Sequence, residues 1–262
     1  MVNTTIRCAI LVAFLLSGCS SSEEATTLSA DERFQRAKAL YDDEDYLEAI
    51  NEFTIITLQY QGSAHADDAQ YFLGESRFAR GEYLLAAFEY QQLKRSMTAS
   101  PLIPDAQFKI GLCYFYLSPP SMLDQQYTLK AIDELQSFVE YYPSHDSASS
   151  AEGRIKELST RLAAKSYEIA QQYAILEYYK SALFYYDDVI EKYHDTDFAP
   201  LSYFGKAEAL MSRKRYDEAR TVITTFIERF PNSVLRDRAD KLKVAIEEDL
   251  RSLPPVSSQR SQ

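Results

Sequence analysis

Small residues recur twelve positions apart along this chain, at Ala37/Ala49, Gly74/Ala86, Ala170/Ala182 and Ala207/Ala219. Counting Gly111 between Gly74 and Ala170, the first members step by 37 residues, broken once by a step of 59. In all four pairs a tyrosine stands three residues before the second member: Tyr46, Tyr83, Tyr179 and Tyr216. Apolar residues at helical spacing flank each member, and a break such as Arg80-Gly81-Glu82 lies between them. Antiparallel helices approach closely only where side chains are small, so each pair predicts a helical hairpin. A fixed period of this length predicts hairpins stacked into a solenoid, because one hairpin cannot bury its apolar face alone.

Gly111/Ala131 is a fifth pair, twenty residues apart. The surplus contains Ser118-Pro119-Pro120-Ser121, and prolines cannot continue a helix, so residues 118–124 read as a lengthened hairpin loop. From Ala131 to Ala170 is 39 residues, against 25 between the other hairpins. The excess is about four helical turns, which keeps the packing face unchanged and predicts one elongated helix. The expected fold is all-α: a right-handed α-solenoid of five hairpins with a C-terminal capping helix over residues 29–251.

Local signals set the edges. Ser29 and Glu32 form a capping-box pattern, with helices expected to Asp42 and from Tyr46 to Tyr60. In the second hairpin Leu85, Phe88 or Tyr90, and Leu93 are the expected core stripe. Pro104 suits a first turn, and Pro143 and Pro231 end helices. Ser149-Ser150-Ala151-Glu152 reads as a second capping box opening the long helix, buried along Ile155, Leu158, Leu162, Ile169 and Tyr173. A helix from Val234 to Leu250 would bury Leu235, Ala239, Leu242 and Ile246 and cap the stack. Residues 252–262, with Pro254-Pro255, read as a disordered tail.

At the N-terminus, Arg7 precedes an apolar run from Cys8 to Leu16 that would span about 14 Å as helix, too short for a bilayer core of ~30 Å. Residues 1–18 therefore read as a secretory signal peptide. Leu16-Ser17-Gly18-Cys19 resembles the lipobox of bacterial lipoproteins, which implies cleavage before Cys19, acylation of that residue and anchoring through residues 19–28. Ser20 after the cysteine implies the outer membrane by the same resemblance. The formal charge of −11 becomes −12 once Arg7 is lost, and no basic run offsets it, which argues against nucleic acid as a partner. Cys113 would be the other cysteine of the mature chain, so there is no disulfide framework.

The repeat pattern is similar to that of tetratricopeptide repeats, with the unit lengthened from 34 to 37 residues. Five such repeats behind a lipobox resemble the BamD/ComL family of outer-membrane assembly lipoproteins. The most specific part is residues 131–173, where the third repeat runs through Tyr141-Tyr142-Pro143-Ser144 into the long helix. The resemblance implies a non-enzymatic lipoprotein on the periplasmic face of the outer membrane, in the machinery that folds β-barrel proteins. It implies that C-terminal repeats dock a BamA-like barrel insertase, while N-terminal repeats face other Bam lipoproteins or unfolded outer-membrane proteins. A lipoprotein supporting another envelope assembly, such as a type IV pilus secretin, is the alternative. A sugar-binding lipoprotein would need tryptophan platforms, and the chain has no tryptophan.

In a repeat of this type, positions five and twelve lie on one face of the first helix, which lines the concave groove. Position five is Phe34, Tyr71, Phe108, Tyr167 and Phe204; position twelve is Tyr41, Phe78 and Phe115, then Ala174 and Met211. Phe34, Tyr41, Tyr71, Phe78, Phe108 and Phe115 are thus candidates for an aromatic trough taking an extended, aromatic-ended peptide, with packing as the competing role for position five. A carboxylate clamp would need lysine and asparagine where Phe34 and Lys38 stand. Arg213-Lys214-Arg215, at a hairpin tip, is a candidate partner contact. His65, His145 and His194 fall singly in turns and read as solvated. Acidic runs such as Asp42-Asp43-Glu44-Asp45 and the pair Asp187-Asp188 read as solvated tips or helix faces. No catalytic constellation, metal-ligand spacing, phosphate loop or cofactor motif is evident.

Overall fold

The computed structural model describes residues 28–252. The signal peptide, Cys19, most of the tether and residues 253–262 of the tail lie outside them. Among the described residues eleven helices follow one another: α1 Ala30–Asp42, α2 Tyr46–Gln59, α3 Ala66–Ala79, α4 Tyr83–Ser96, α5 Ile103–Leu117, α6 Gln126–Tyr141, α7 Ala148–Ile175, α8 Tyr179–Lys192, α9 Phe198–Ser212, α10 Tyr216–Arg229 and α11 Arg236–Ser252. Each packs against its neighbours in sequence, making five hairpins closed by α11. Contacts also run between the first helices of successive hairpins, α1 to α3, α5 to α7, α7 to α9 and on to α11. Second helices have no comparable contact, so the first helices form the inner face of the α-solenoid.

The paired small residues are buried in all five hairpins. What they make room for is a side chain. A Cβ on Gly74 would lie 2.6 Å from the Tyr90 ring, and one on Gly111 would lie 2.5 Å from Leu135. Tyr90 and Leu135 each stand four residues after the second small residue; the same place holds Phe53, Tyr186 and Ile223, all buried. Three residues further come Ile56, Leu93, Phe138, Val189 and Phe226, all at 0% exposure. Each second helix thus carries one stripe at i, i+4 and i+7. Gly205, which the twelve-residue spacing does not flag, seats Tyr186 of the preceding hairpin at 2.6 Å.

Turns repeat as faithfully as helices. Seven residues after the first small residue the chain takes a left-handed conformation, at Glu44, Gly81, Glu177 and Lys214, with φ of 63°, 74°, 61° and 58°. After each second helix a turn closes with the N–H of Ser63, Ser100, His145, Thr196 or Ser233 donating to the carbonyl three residues back. The capping box of α1 is present: Ser29 Oγ accepts from the Glu32 N–H, and Glu32 Oε2 accepts from the Ser29 N–H at 2.9 Å.

Three local expectations are corrected. Helix α7 begins after Ser147, so Ser149 lies inside it and makes no cap. Leu85 and Phe88 are each 48% exposed, while Tyr90 and Leu93 face the core; the unbroken apolar run from Tyr83 to Phe88 hides the phase of the helix. His65 and His145 tie adjacent repeats together instead of standing free in solvent. His65 stacks on Phe34 at 4.6 Å and pairs with Asp31 at 2.9 Å, while His145 packs edge-on against Phe138 and lies 3.5 Å from Asp105.

The two departures from the repeat form one feature. Arg161 on α7 donates to the Ser118 carbonyl at 3.0 Å and to its hydroxyl at 2.7 Å, and Lys165 donates to the Leu123 carbonyl at 2.7 Å. Inside the loop, buried Gln125 donates to the carbonyls of Pro120 and Leu123. The elongated helix therefore carries the residues that hold the long loop, and Met122 and Leu123 are displayed at its tip.

Candidate functional site: the inner aromatic face

The six aromatic residues of the expected trough divide by position. Phe34 is buried among Phe53, Phe72 and His65; Tyr71 packs on Tyr90, and Phe108 on Phe138. Burial pushes the Tyr71 hydroxyl well above its usual pKa, and the nearby Glu75 carboxylate adds to the shift. These position-five rings join first helices to second helices within the hairpin.

The position-twelve rings are half-buried. Tyr41 packs edge-on against Tyr46 and Phe72. Phe78, Tyr83, Tyr116 and Phe115 form a continuous group: Phe78 and Phe115 each lie 5.6 Å from Tyr116, and Tyr83 stacks on Tyr116 at 5.1 Å. Tyr116 is 48% exposed and gives this group a face to solvent. Neither Phe72 nor Tyr116 stands at position five or twelve, so the repeat numbering alone does not flag them.

Cations are interleaved with these rings. Lys38 on α1 lies over Phe72 on α3, Lys109 on α5 over Phe78 on α3, Arg154 on α7 over Phe115 on α5, and Arg238 on α11 over Phe204 on α9. The distances run from 4.5 to 5.1 Å, within the range of a cation held by a ring face. Four of the five steps along the inner face are thus bridged by a cation on an aromatic ring. The remaining step, from α7 to α9, is bridged by Tyr167 on Phe198 at 5.6 Å.

Two further surfaces stand out. At the end of α7 and on α8, Ile175, Leu176, Tyr178 and Phe184 are all more than 60% exposed. The next hairpin tip carries Arg213, Lys214 and Arg215; all are exposed, and Arg215 pairs with Glu218 at 2.6 Å. On the other side of the stack, a cavity of about 470 Å³ lies between α2 and α4, rimmed by Leu58 and Phe88. Its polar floor is already satisfied: Glu89 accepts from Gln70 at 2.9 Å and from Arg77 at 3.0 Å. Asp187 and Asp188, expected to be solvated, are engaged by Lys206 and Lys192. Among the described residues no group of acidic, histidine or cysteine side chains could hold a metal ion, and no helix is long and apolar enough to cross a membrane.

Stacked hairpins with small residues at each crossing, and aromatic and apolar groups on display, define a tetratricopeptide-type scaffold. A tetratricopeptide-repeat profile matches residues 201–233. The YfiO family, described as outer membrane lipoprotein, matches residues 27–209, and the chain belongs to that family. Two relatives named outer membrane protein assembly factor BamD are similar to it at low identity. That of Caulobacter vibrioides is 24% identical, over 81% of this chain and 71% of the relative. That of Rickettsia prowazekii is 23% identical, over 89% of this chain and 94% of the relative. Among solved structures, the TPR2AB-domain:pHSP90 complex of yeast Sti1 aligns at a TM-score of 0.43, with 19% identity, over 85% of this chain and 84% of that one.

Proposed function

We propose that the chain is a scaffold of the β-barrel assembly machinery, anchored at the periplasmic face of the outer membrane through acylated Cys19. Family membership and the two relatives named as assembly factors support this reading. Removal of residues 1–18 would leave Cys19 as the first mature residue. Each buried acyl CH₂ contributes about 0.8 kcal/mol, so stable anchoring takes more than one chain. The two relatives are named assembly factors, and on this reading the protein acts through the surfaces it displays.

The observation that carries the partner assignment is the exposure of four large apolar residues in the fourth hairpin, Ile175, Leu176, Tyr178 and Phe184, together with the exposed basic tip Arg213–Arg215 of the fifth. Large apolar side chains left exposed within one hairpin favour an interface there, and a basic tip favours an acidic partner surface. Repeats four and five would dock the barrel insertase there. The first three repeats would face other Bam lipoproteins and take the aromatic end of an unfolded outer-membrane protein against the Phe78–Tyr83–Tyr116–Phe115 group.

Purification of the full chain in mild detergent, with identification of what accompanies it, tests the assignment. A barrel insertase in stoichiometric amount is expected, and its loss on Phe184→Asp with an unchanged melting curve would assign the patch. Recovery of a pilus secretin with no insertase would replace this reading with the alternative one.

A further inference from the structure

The cations of the inner face differ in one respect. Lys109 pairs with Glu75 at 2.7 Å, and Arg238 lies 3.6 Å from Glu208. Glu75 and Glu208 occupy the same place in their repeats, one residue after the small residue of the first helix. Lys38 is neutralised within its own helix by Asp42. The third repeat has Leu112 where the second and fifth have glutamate, and Leu112 is buried. Arg154, stacked on Phe115 at 4.5 Å and 6.0 Å from the Tyr116 ring, therefore has no carboxylate facing it from the preceding helix.

No salt bridge or hydrogen bond is made by Arg154 among the described residues, and its Nε is buried without a partner. The carboxylate one turn along α7, Glu157, is held by Arg161 at 3.1 Å. A buried guanidinium nitrogen without an acceptor is costly, because the donor has given up water for nothing. The aromatic stack covers one face of the group and leaves its edge donors for an anion.

We infer that Arg154 is the carboxylate-reading residue of the inner groove, taking the free C-terminal carboxylate of a bound peptide whose last side chain packs on Phe115 and Tyr116. This rests on the groove reading above and adds to it the end of the peptide that is read and the residue that reads it. An aromatic wall beside an unpaired guanidinium matches one ligand chemistry closely: an aromatic residue with a carboxylate on its own α-carbon. An internal aromatic residue supplies the ring without the charge. A carboxylate on Arg154 would restore, from the ligand, the pairing that Glu75 and Glu208 supply within the chain. A charge-assisted bond to a guanidinium discriminates against its neutral isostere by about tenfold or more.

The test uses the full chain in detergent and a ten-residue peptide ending in phenylalanine, prepared as free acid and as C-terminal amide. The free acid is expected to bind about tenfold more tightly, with the preference falling as salt rises. Arg154→Gln should bring free acid and amide to equal affinity, and Arg154→Lys should retain most of the preference. Melting curves check that both variants are folded, and the acid-to-amide comparison on the unsubstituted protein needs no variant. Equal binding of the two forms, with both weakened by Phe78→Ala, would overturn the carboxylate site and leave the groove standing. Absence of binding by either form would overturn both.

Discussion

The same substitution should change stability in opposite directions at two helical glycines. At Gly153, in α7, an added Cβ meets nothing within 4 Å. Alanine there gains about 1 kcal/mol from helix propensity. At Gly74, in α3, the new Cβ would lie 2.6 Å from Tyr90 Cε1 and 2.9 Å from Cδ1 and Cζ. The Tyr90 ring has little room to yield: it is fully buried, packs on Tyr71 at 5.6 Å and donates its hydroxyl proton to Glu75. Forcing a methyl into such a site costs about 1–3 kcal/mol, against the same ~1 kcal/mol gained from propensity. The two variants should therefore differ by about 1–3 kcal/mol, which for a chain of this size is about 3–10 °C in Tm. Thermal melts followed by circular dichroism measure the difference directly. In a double-mutant cycle, Tyr90→Leu should remove most of the Gly74→Ala penalty, because the clash is with that ring. If Gly74→Ala stabilises as much as Gly153→Ala, the close seating of a second-helix side chain over the small residue is not what sets the repeat.

Other consequences can be checked with the same protein. Glu44→Gly and Glu177→Gly should each raise stability by about 1 kcal/mol, since both positions hold a left-handed φ that glycine adopts freely; Gly81→Ala should lower it by a similar amount, both read by urea titration. Arg161→Ala removes the bonds that hold the Ser118 carbonyl and hydroxyl, so amide exchange over residues 118–125 should accelerate while exchange in α9 and α10 stays unchanged. Burial pushes the Cys113 thiol up to about 12, so at pH 8 the folded chain should leave it unlabelled by a thiol reagent and label it only on unfolding. Rapid labelling of Cys113 in the native state would contradict the packing of α5 against α4.

The hairpin register was legible because it depends on side-chain size at fixed spacing, which a sequence displays directly. Ala37, Gly74, Gly111, Ala170 and Ala207 all proved buried. The loop at residues 118–124 and the elongated helix were each readable from length. That Arg161 and Lys165 on one hold the carbonyls of the other was not, since 42 or 43 residues separate the partners. Leu85 and Phe88 were misplaced because an apolar run longer than a turn carries no phase. Ser149 offered a capping pattern two residues past the Ser147 cap that opens the helix. His65 and His145 looked solvated because their contacts come from the preceding repeat. Arg154 needed the same kind of knowledge: its isolation follows from which residue of α5 faces it, and the chain order alone does not state that neighbour.

Photo-cross-linking in intact cells gives the most direct test of a scaffold that works by the surfaces it displays. A photoreactive side chain at position 176 or 184 should yield an adduct with the barrel insertase, while one at position 58, equally exposed on the outer side of the first hairpin, should not. Adducts with a secretin, or an insertase adduct from position 58 and none from 176 or 184, would contradict the account.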